Sequence, residues 1–275
     1  MISIVIPVYN EKKSVRSLFE EIKQVLLEAK KPFEIIFVDD GSTDGTVTEL
    51  KSLSPLKIVC LRKNFGQTAA LDAGIKESRG SIVITLDGDG QNDPADIPAI
   101  LQAIEKNTDV VCGWRKKRMD SFSKRLISRG AHMLRRVFVS DGIHDSGCGI
   151  KVYKKECFAG RDLYGEIHRF IPGMLKARGF EVTEIEVHHR SRTSGKTKYG
   201  ITRTFKGFID MLSIWFWRKY SSRPLHLFGG IGAIVFALGF ALIIALFFLR
   251  LFHVISLDRS VWPLGGFFLM LSGIQ

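Results

Sequence analysis

Three short acidic segments each follow an apolar run. Pro7-Val8-Tyr9-Asn10-Glu11 comes after Ile2–Ile6, Asp39-Asp40-Gly41-Ser42-Thr43-Asp44-Gly45 after Phe33–Val38, and Asp87-Gly88-Asp89-Gly90-Gln91 after Ile82–Leu86. Carboxylates crowded into one place resist ionising together unless a cation sits among them. Oxygen ligands select a hard divalent ion, Mg²⁺ or Mn²⁺, which retains positions for substrate phosphate oxygens. Asp87, Asp89 and Gln91 are the residues expected to hold it, and Gly88 lets a phosphate come close to the backbone. An ion bound to a diphosphate stabilises that group as it leaves, which is the chemistry a nucleotide-sugar requires when its glycosidic bond breaks. Plainer readings stand beside this one. Asp44 equally well caps a helix beginning near Thr46, Asp39 equally well closes a turn, and a lone Asp-X-Asp is common in surface turns. Recurrence at successive strand ends is what carries the chemical reading.

The elements that must position these residues alternate. Apolar runs at Ile2–Ile6, Phe33–Val38, Ile58–Leu61, Ile82–Leu86 and Val110–Cys112 predict buried strands, and helix-period segments lie between them. Val15, Leu18, Phe19, Ile22, Val25 and Leu26 share one helix face. Asp93-Pro94 predicts a capped helix start with proline at its first position. Alternating strands and helices imply an α/β fold, a mainly parallel sheet with helices on both faces. Such sheets bind ligands beyond the carboxyl ends of their strands, where the acidic segments fall. Further along, a helix is expected near Ile167–Ala177 and a strand over Glu181–Val187. No Gly-x-Gly-x-x-Gly follows the first strand, which argues against a dinucleotide dehydrogenase, and no Walker motif is present.

The chain carries a net charge of +12 over 275 residues, which calls for an anionic partner. Nine basic residues and one acid, Asp120, lie between Arg115 and Arg136. The four cysteines, Cys60, Cys112, Cys148 and Cys157, occur singly, as reduced thiols of a cytosolic domain do. The chain opens directly on a strand, so no signal peptide is expected. Ile201–Tyr220 alternates Phe205, Phe208, Ile209, Leu212, Trp215 and Phe216 with Arg203, Lys206 and Asp210, the pattern of a helix lying in a membrane interface. Leu225–Leu249 then runs 25 residues without a formal charge, enough to cross a bilayer core of roughly 20 residues. Arg218, Lys219 and Arg223 precede it and place the large domain in the cytoplasm. Val261–Gln275 is too short to cross and reads as a truncated second span or a re-entrant piece. The expected organisation is therefore a catalytic domain over 1–200, a juxtamembrane segment over 201–224 and a membrane anchor over 225–275.

With those residues in view, the chain resembles glycosyltransferase family 2, whose members have the GT-A nucleotide-sugar-binding fold. The likeness is to the branch of dolichol-phosphate mannose synthases and bacterial undecaprenyl-phosphate sugar transferases. It rests on Ile4–Glu11, Val38–Thr46, Asn64–Gly74, Leu86–Pro98, Gly113–Arg118, Asp145–Tyr153, His168–Pro172 and Arg190–Tyr199. The resemblance implies that Pro7, Tyr9, Glu11, Val38 and Asp40 hold the nucleoside, with Asp87, Gly88 and Arg115 also on the donor. It implies that Asp87, Asp89 and Gln91 bind metal and diphosphate, that Asp89, Asp145, Arg192 and Lys198 act in catalysis, and that Arg115, His168, Arg169, Arg192 and Lys198 meet the acceptor phosphate. Thr193-Ser194-Gly195-Lys196-Thr197-Lys198 departs from the family's usual Phe-Gly-Glu-Ser-Lys, which leaves Lys196 without a carried-over role.

The expected activity is inverting transfer of a sugar from a nucleotide-sugar, a UDP-sugar ahead of GDP-mannose, to a polyprenyl phosphate at the cytoplasmic face of a bacterial-type inner membrane. A phosphate monoester with its second pKa near 6 is already largely dianionic at neutral pH, so a strong base is dispensable and Asp145 is expected mainly to orient acceptor and donor. Partners are then the donor, the lipid acceptor and the membrane, with self-association through the membrane segment an open alternative. Nucleic acid is not expected, since the basic charge accompanies a membrane span and no binding module is recognisable. Two other classes stay in contention. A processive polysaccharide synthase of the same fold would carry Gln-x-x-Arg-Trp, which is absent. A non-catalytic membrane-tethered binding protein would have no need of the intact acidic set.

Overall fold

The structure is a computed structural model. It describes residues 1–104, 108–116, 142–160, 162–163, 165, 167–190, 212–213, 215–216, 219–220, 223–252 and 261–275. The chain divides into two compact units, Met1–Ile214 and Trp215–Gln275.

The first unit is built on a sheet of seven described strands: β1 (Ile2–Val8), β2 (Phe33–Asp39), β3 (Lys57–Cys60), β4 (Ile82–Thr85), β5 (Val110–Trp114), β6 (Lys151–Lys154) and β7 (Val182–Glu186). Their spatial order is β3-β2-β1-β4-β6-β5-β7. β1 pairs in parallel with β2 and β4, β2 with β3, and β5 with β7. β6 runs antiparallel to both of its neighbours, with Thr85 opposite Lys151 and Cys112 opposite the same residue on the other side. β1 and β2 are apolar nearly throughout because both sheet faces are covered, and their polar exceptions pair with each other, Ser3 Oγ donating to Glu34 Oε1 at 2.5 Å.

Successive side chains take opposite faces. Ile4, Ile6, Phe37 and Ile84 pack on one side with Leu18, Phe19 and Ile22 of α1 (Val15–Glu28) and with Ile97, Ile100 and Leu101 of α4 (Ile97–Ile104). Val5, Val38 and Val83 pack on the other with Ala70, Leu71 and Ile75 of α3 (Gln67–Glu77). Towards β5 that second face continues as Val110, Cys112 and Tyr153 against Ile171 and Leu175 of α5 (Ile171–Lys176). Burying each large side chain of this kind stabilises the fold by roughly 1.5–3 kcal/mol.

The short helix α2 (Thr46–Lys51) shows what Asp44 does. Its Oδ1 accepts from Thr46 N at 3.0 Å and from Thr46 Oγ1 at 2.5 Å, so it ties down the helix start. Asp39 Oδ2 accepts Ser42 N at 3.0 Å, a turn closed by a side chain. Asp93 caps as its sequence predicts, accepting from Ala95 N at 3.0 Å ahead of Pro94.

The second unit contains α6 (Pro224–Leu251) and α7 (Trp262–Ile274). α6 has 28 residues, a length and composition sufficient to cross a membrane. Phe228, Ile231, Ile234, Leu238 and Phe240 are exposed along it, as a lipid-facing surface is. α7 packs on α6 where glycines let the backbones meet. A Cβ on Gly239 would lie 2.6 Å from Gly266 O and 2.8 Å from Met270 N. With 13 residues α7 is shorter than a span requires. The interfacial helix expected over 201–220 falls mostly outside the described residues. Within it, Phe216 stacks on Tyr220 with ring centroids 6.4 Å apart.

Candidate active site

The carboxyl ends of β1, β2 and β4 open on a cleft of about 400 Å³. Pro7, Tyr9, Glu11, Asp40, Asp87, Gly88, Asp89, Gln91, Arg115, His168 and Arg169 all line it. Val38 does not: its side chain is fully buried beneath, against Val5 and Leu71, because its place on β2 turns it into the α3 face of the core. Arg192 and Lys198 lie outside the described residues.

The acidic loops are tied to one another before any ligand enters. Thr43 N donates to Asn10 Oδ1 at 2.8 Å, Asn10 N to Ser42 Oγ at 2.9 Å and Glu11 N to Thr46 Oγ1 at 3.0 Å. Asp40 holds the entrance to α3, its two oxygens accepting Phe65 N at 2.7 Å and Gly66 N at 2.9 Å. The next residue, Gln67, donates its side-chain amide to Asp87 Oδ1 at 2.8 Å. A chain of contacts thus runs from the end of β2 to the end of β4.

Asp87 sits among the most charged surroundings of these acids. Withdrawal from water, and next the charge of Asp89, raise its pKa above the ordinary carboxylate value, while Lys151, Arg115 and Gln67 work against the rise. Gly149 passes directly against it, where a Cβ would overlap Asp87 Oδ2 and lie 2.6 Å from Asn92 Oδ1. Asn92 Oδ1 in turn accepts Asp87 N at 3.2 Å. Two crowded carboxylates beside a side-chain amide fit a divalent ion that takes its remaining oxygens from a substrate diphosphate. No group of three or more His, Cys, Asp or Glu side chains placed to hold a metal occurs among the described residues. Burial pushes the Cys148 thiol up to about 11, so it stays protonated and is a poor ligand.

Arg115 and Asp145, both carried over as site residues, face each other. Arg115 Nε donates to Asp145 Oδ2 at 2.7 Å and Nη2 to Oδ1 at 3.0 Å, with the two side chains 10% and 7% exposed. Burial acts against the guanidinium's charge, but the bond to Asp145 prevails and raises its pKa. Asp145 is itself set from β7, Glu184 Oε1 accepting its backbone N–H at 3.1 Å. His168 is buried at the α3 side, its Nδ1 3.1 Å from Thr68 Oγ1.

The segment after β7 is fastened to the Asp87–Gln91 turn. Arg190 N donates to Gln91 O at 3.0 Å, Arg190 Nη2 meets Asp93 Oδ1 at 2.7 Å, and His188 pairs with Asp96 at 2.8 Å. His188 therefore has a carboxylate partner. Gln67, Thr85, Lys151 and Tyr153 also line the cleft without a role predicted from sequence. The signal that points to Lys151 and Tyr153 is their shared parity on β6.

A mainly parallel α/β sheet with three acidic strand ends converging on one cleft has the layout of the GT-A class. Solved structures agree on the fold: glucosyl-3-phosphoglycerate synthase from Mycobacterium tuberculosis, crystallised with Mn²⁺, uridine diphosphate and phosphoglyceric acid, superposes with a TM-score of 0.62 at 16% identity, over 79% of this chain and 78% of that one. The family model described as glycosyl transferase family 2 matches residues 3–160, and the chain belongs to that family. Among its relatives, a dodecaprenyl-phosphate galacturonate synthase of Rhizobium johnstonii is 37% identical over all of this chain and 84% of its own length. An undecaprenyl-phosphate 4-deoxy-4-formamido-L-arabinose transferase of Serratia proteamaculans is 33% identical over 97% of this chain and 80% of its own.

Proposed function

We propose that the chain transfers a sugar from a nucleotide-sugar, favouring a UDP-sugar, to a polyprenyl phosphate at the cytoplasmic face of an inner membrane, with inversion at the anomeric carbon. The observation that carries this reading is the reach of the likeness. Identity to a polyprenyl-phosphate sugar transferase extends over the whole chain, spanning helix included, and not over the catalytic unit alone. Arg223 and Lys219 ahead of α6 favour the cytoplasmic orientation.

Pro7, Tyr9, Glu11 and Asp40 form the wall that receives the nucleoside. Asp87 and Asp89, with Gln91, would hold Mg²⁺ or Mn²⁺ for the donor's diphosphate. When bound, that ion supplies charge stabilisation to the departing nucleoside diphosphate. Gln67 fixes one oxygen of Asp87 and so holds the carboxylate's orientation. Asp145 orients Arg115 at the cleft wall, and Arg115, His168 and Arg169 form an electropositive side for the acceptor phosphate. Arg190 fastens the start of the segment that carries Arg192 and Lys198. Because the acceptor arrives as a dianion, these residues position it and screen its charge, and none has to remove a proton.

The test is incubation of membranes containing the full chain with a panel of labelled nucleotide-sugars, undecaprenyl phosphate and Mg²⁺ or Mn²⁺. A single labelled sugar-lipid, abolished by chelator, is expected. Absence of product across the panel overturns the reading, and label in a growing polymer replaces it with a processive synthase.

A further inference from the structure

The floor of the cleft contains a buried charge with unused donors. β6 pairs antiparallel with β4, and the register sets Lys151 opposite Thr85. Parity along β6 then divides its residues: Val152 enters the core beside α1 and α4, while Lys151 and Tyr153 line the cleft. Lys151 is 5% exposed. Its ammonium donates to Cys148 O at 2.6 Å, which accounts for one of its three N–H groups.

Lysine is among the residues least often fully buried, and when buried it is ordinarily matched by an opposite charge. Arg115, in the same cleft wall, is matched: Asp145 closes on it with two hydrogen bonds. Among the described residues, no carboxylate forms an ion pair with Lys151. Asp87 is close enough for the ammonium's charge to act on it, but its side-chain hydrogen bond goes to Gln67, and Asp40 holds the turn before α3.

Lys151 and Asp87 flank one peptide. The Cys148 carbonyl is held by Lys151, and Gly149, the next residue, lies against the Asp87 carboxylate. The cleft therefore sets the Asp87 carboxylate beside a buried ammonium that has two further N–H donors. A ligand that brings phosphate oxygens along with a divalent ion satisfies both.

We infer that Lys151 is a phosphate-binding residue of the cleft floor, its two remaining N–H donors taking a phosphate oxygen of the donor's diphosphate or of the acceptor's monophosphate. The inference rests on the proposed function for the identity of those two phosphates. Donation to Cys148 O pre-orients the ammonium, so little side-chain freedom is lost when the anion arrives.

The experiment uses the full chain in detergent with two probes: uridine diphosphate with Mn²⁺, and farnesyl phosphate as a short acceptor. Lys151→Met keeps length and removes charge. Lys151→Gln removes charge but leaves an N–H for the Cys148 carbonyl. Calorimetric titration of each probe is expected to show weaker binding in both variants by on the order of 10- to 100-fold, the loss of a charge-assisted hydrogen bond. Loss confined to uridine diphosphate assigns Lys151 to the donor, and loss confined to farnesyl phosphate assigns it to the acceptor. Wild-type affinity for both probes in folded Lys151→Met overturns the inference and leaves Lys151 as a strap on the Cys148 turn. If Lys151→Met does not fold, Lys151→Gln decides by the same criterion. Binding is read without turnover, so a wild-type chain that makes no sugar-lipid overturns the proposed function while a binding loss at Lys151 still stands.

Discussion

Arg115 and Asp145 form a two-bond ion pair, 2.7 and 3.0 Å, across the wall of the cleft. An acid engaged in this way is poorly placed to take a proton and well placed to aim a guanidinium. Asp145→Ala leaves that guanidinium nearly buried and unpaired, which is expected to cost on the order of 3–5 kcal/mol of stability. The double replacement Arg115→Met with Asp145→Leu should recover most of that loss while activity stays low. Asp145→Asn should lower kcat without displacing the pH–rate profile. Thermal unfolding of the three variants, with a pH series on the last, checks these outcomes. A shifted acid limb in Asp145→Asn would restore Asp145 as a base.

Gly149→Ala is a local probe of Asp87. The added methyl overlaps Asp87 Oδ2 and crowds Asn92 Oδ1, so the carboxylate has to turn away from its position over Gln67. Misplacing a catalytic group by about 1 Å can cost roughly 10²-fold. A fall in kcat of that order is expected, with a raised Mn²⁺ concentration for half-maximal activity and a melting temperature lowered by overpacking, which costs about 1–3 kcal/mol. Kinetics at saturating donor across a metal titration measure it.

Gln67→Leu removes the donor that fixes Asp87 Oδ1. A hydrogen bond to a charged group contributes about 1.5–3 kcal/mol, so a roughly 10-fold or larger rise in the metal concentration required is expected. Gln67→Glu should be worse, since it brings a third carboxylate beside Asp87 and Asp89. Metal titrations of both variants, followed by calorimetry with Mn²⁺ and uridine diphosphate, separate a metal effect from a nucleotide effect.

The fold and the site differ in how openly the chain states them. β1 and β2 are legible because both faces of these strands are largely buried, so Ile2–Ile6 and Phe33–Val38 are apolar but for Ser3 and Glu34, which hydrogen-bond to each other. β6 is not legible: Lys151-Val152-Tyr153-Lys154 is four residues long and mixes a buried lysine with a partly exposed one. Its strand state comes from β4 and β5 on either side, a tertiary effect that no local pattern encodes. The acidic strand ends are visible as composition, yet their division of labour is not. Asp44 and Asp39 turn out to shape the backbone, Asp40 fastens the entry to α3, and Asp87 and Asp89 are left to face the cleft. Val38 reads as a ligand neighbour by position, but strand parity alone decides that it points into the core.

His188 gives the catalytic unit a pH dependence of known sign. Its Nδ1 lies 2.8 Å from Asp96 Oδ1, and its backbone N–H donates to Asp96 Oδ2 at 2.7 Å. The side-chain bond to Asp96, and then the carboxylate's charge, raise the histidine's pKa above 6.5. A raised folded-state pKa means that the stabilisation is fully present below the unfolded value and is lost as pH climbs through the folded one. Wild type should therefore exceed His188→Gln in melting temperature near pH 6, with the gap closing once pH passes the raised value. The same pair secures the chain just before Arg190, Arg192 and Lys198. The acceptor KM of wild type should accordingly rise with pH over that window, while that of His188→Gln stays flatter. Parallel melting curves and acceptor titrations between pH 6 and about 9 test the coupling, and identical pH profiles for the two proteins would remove His188 from it.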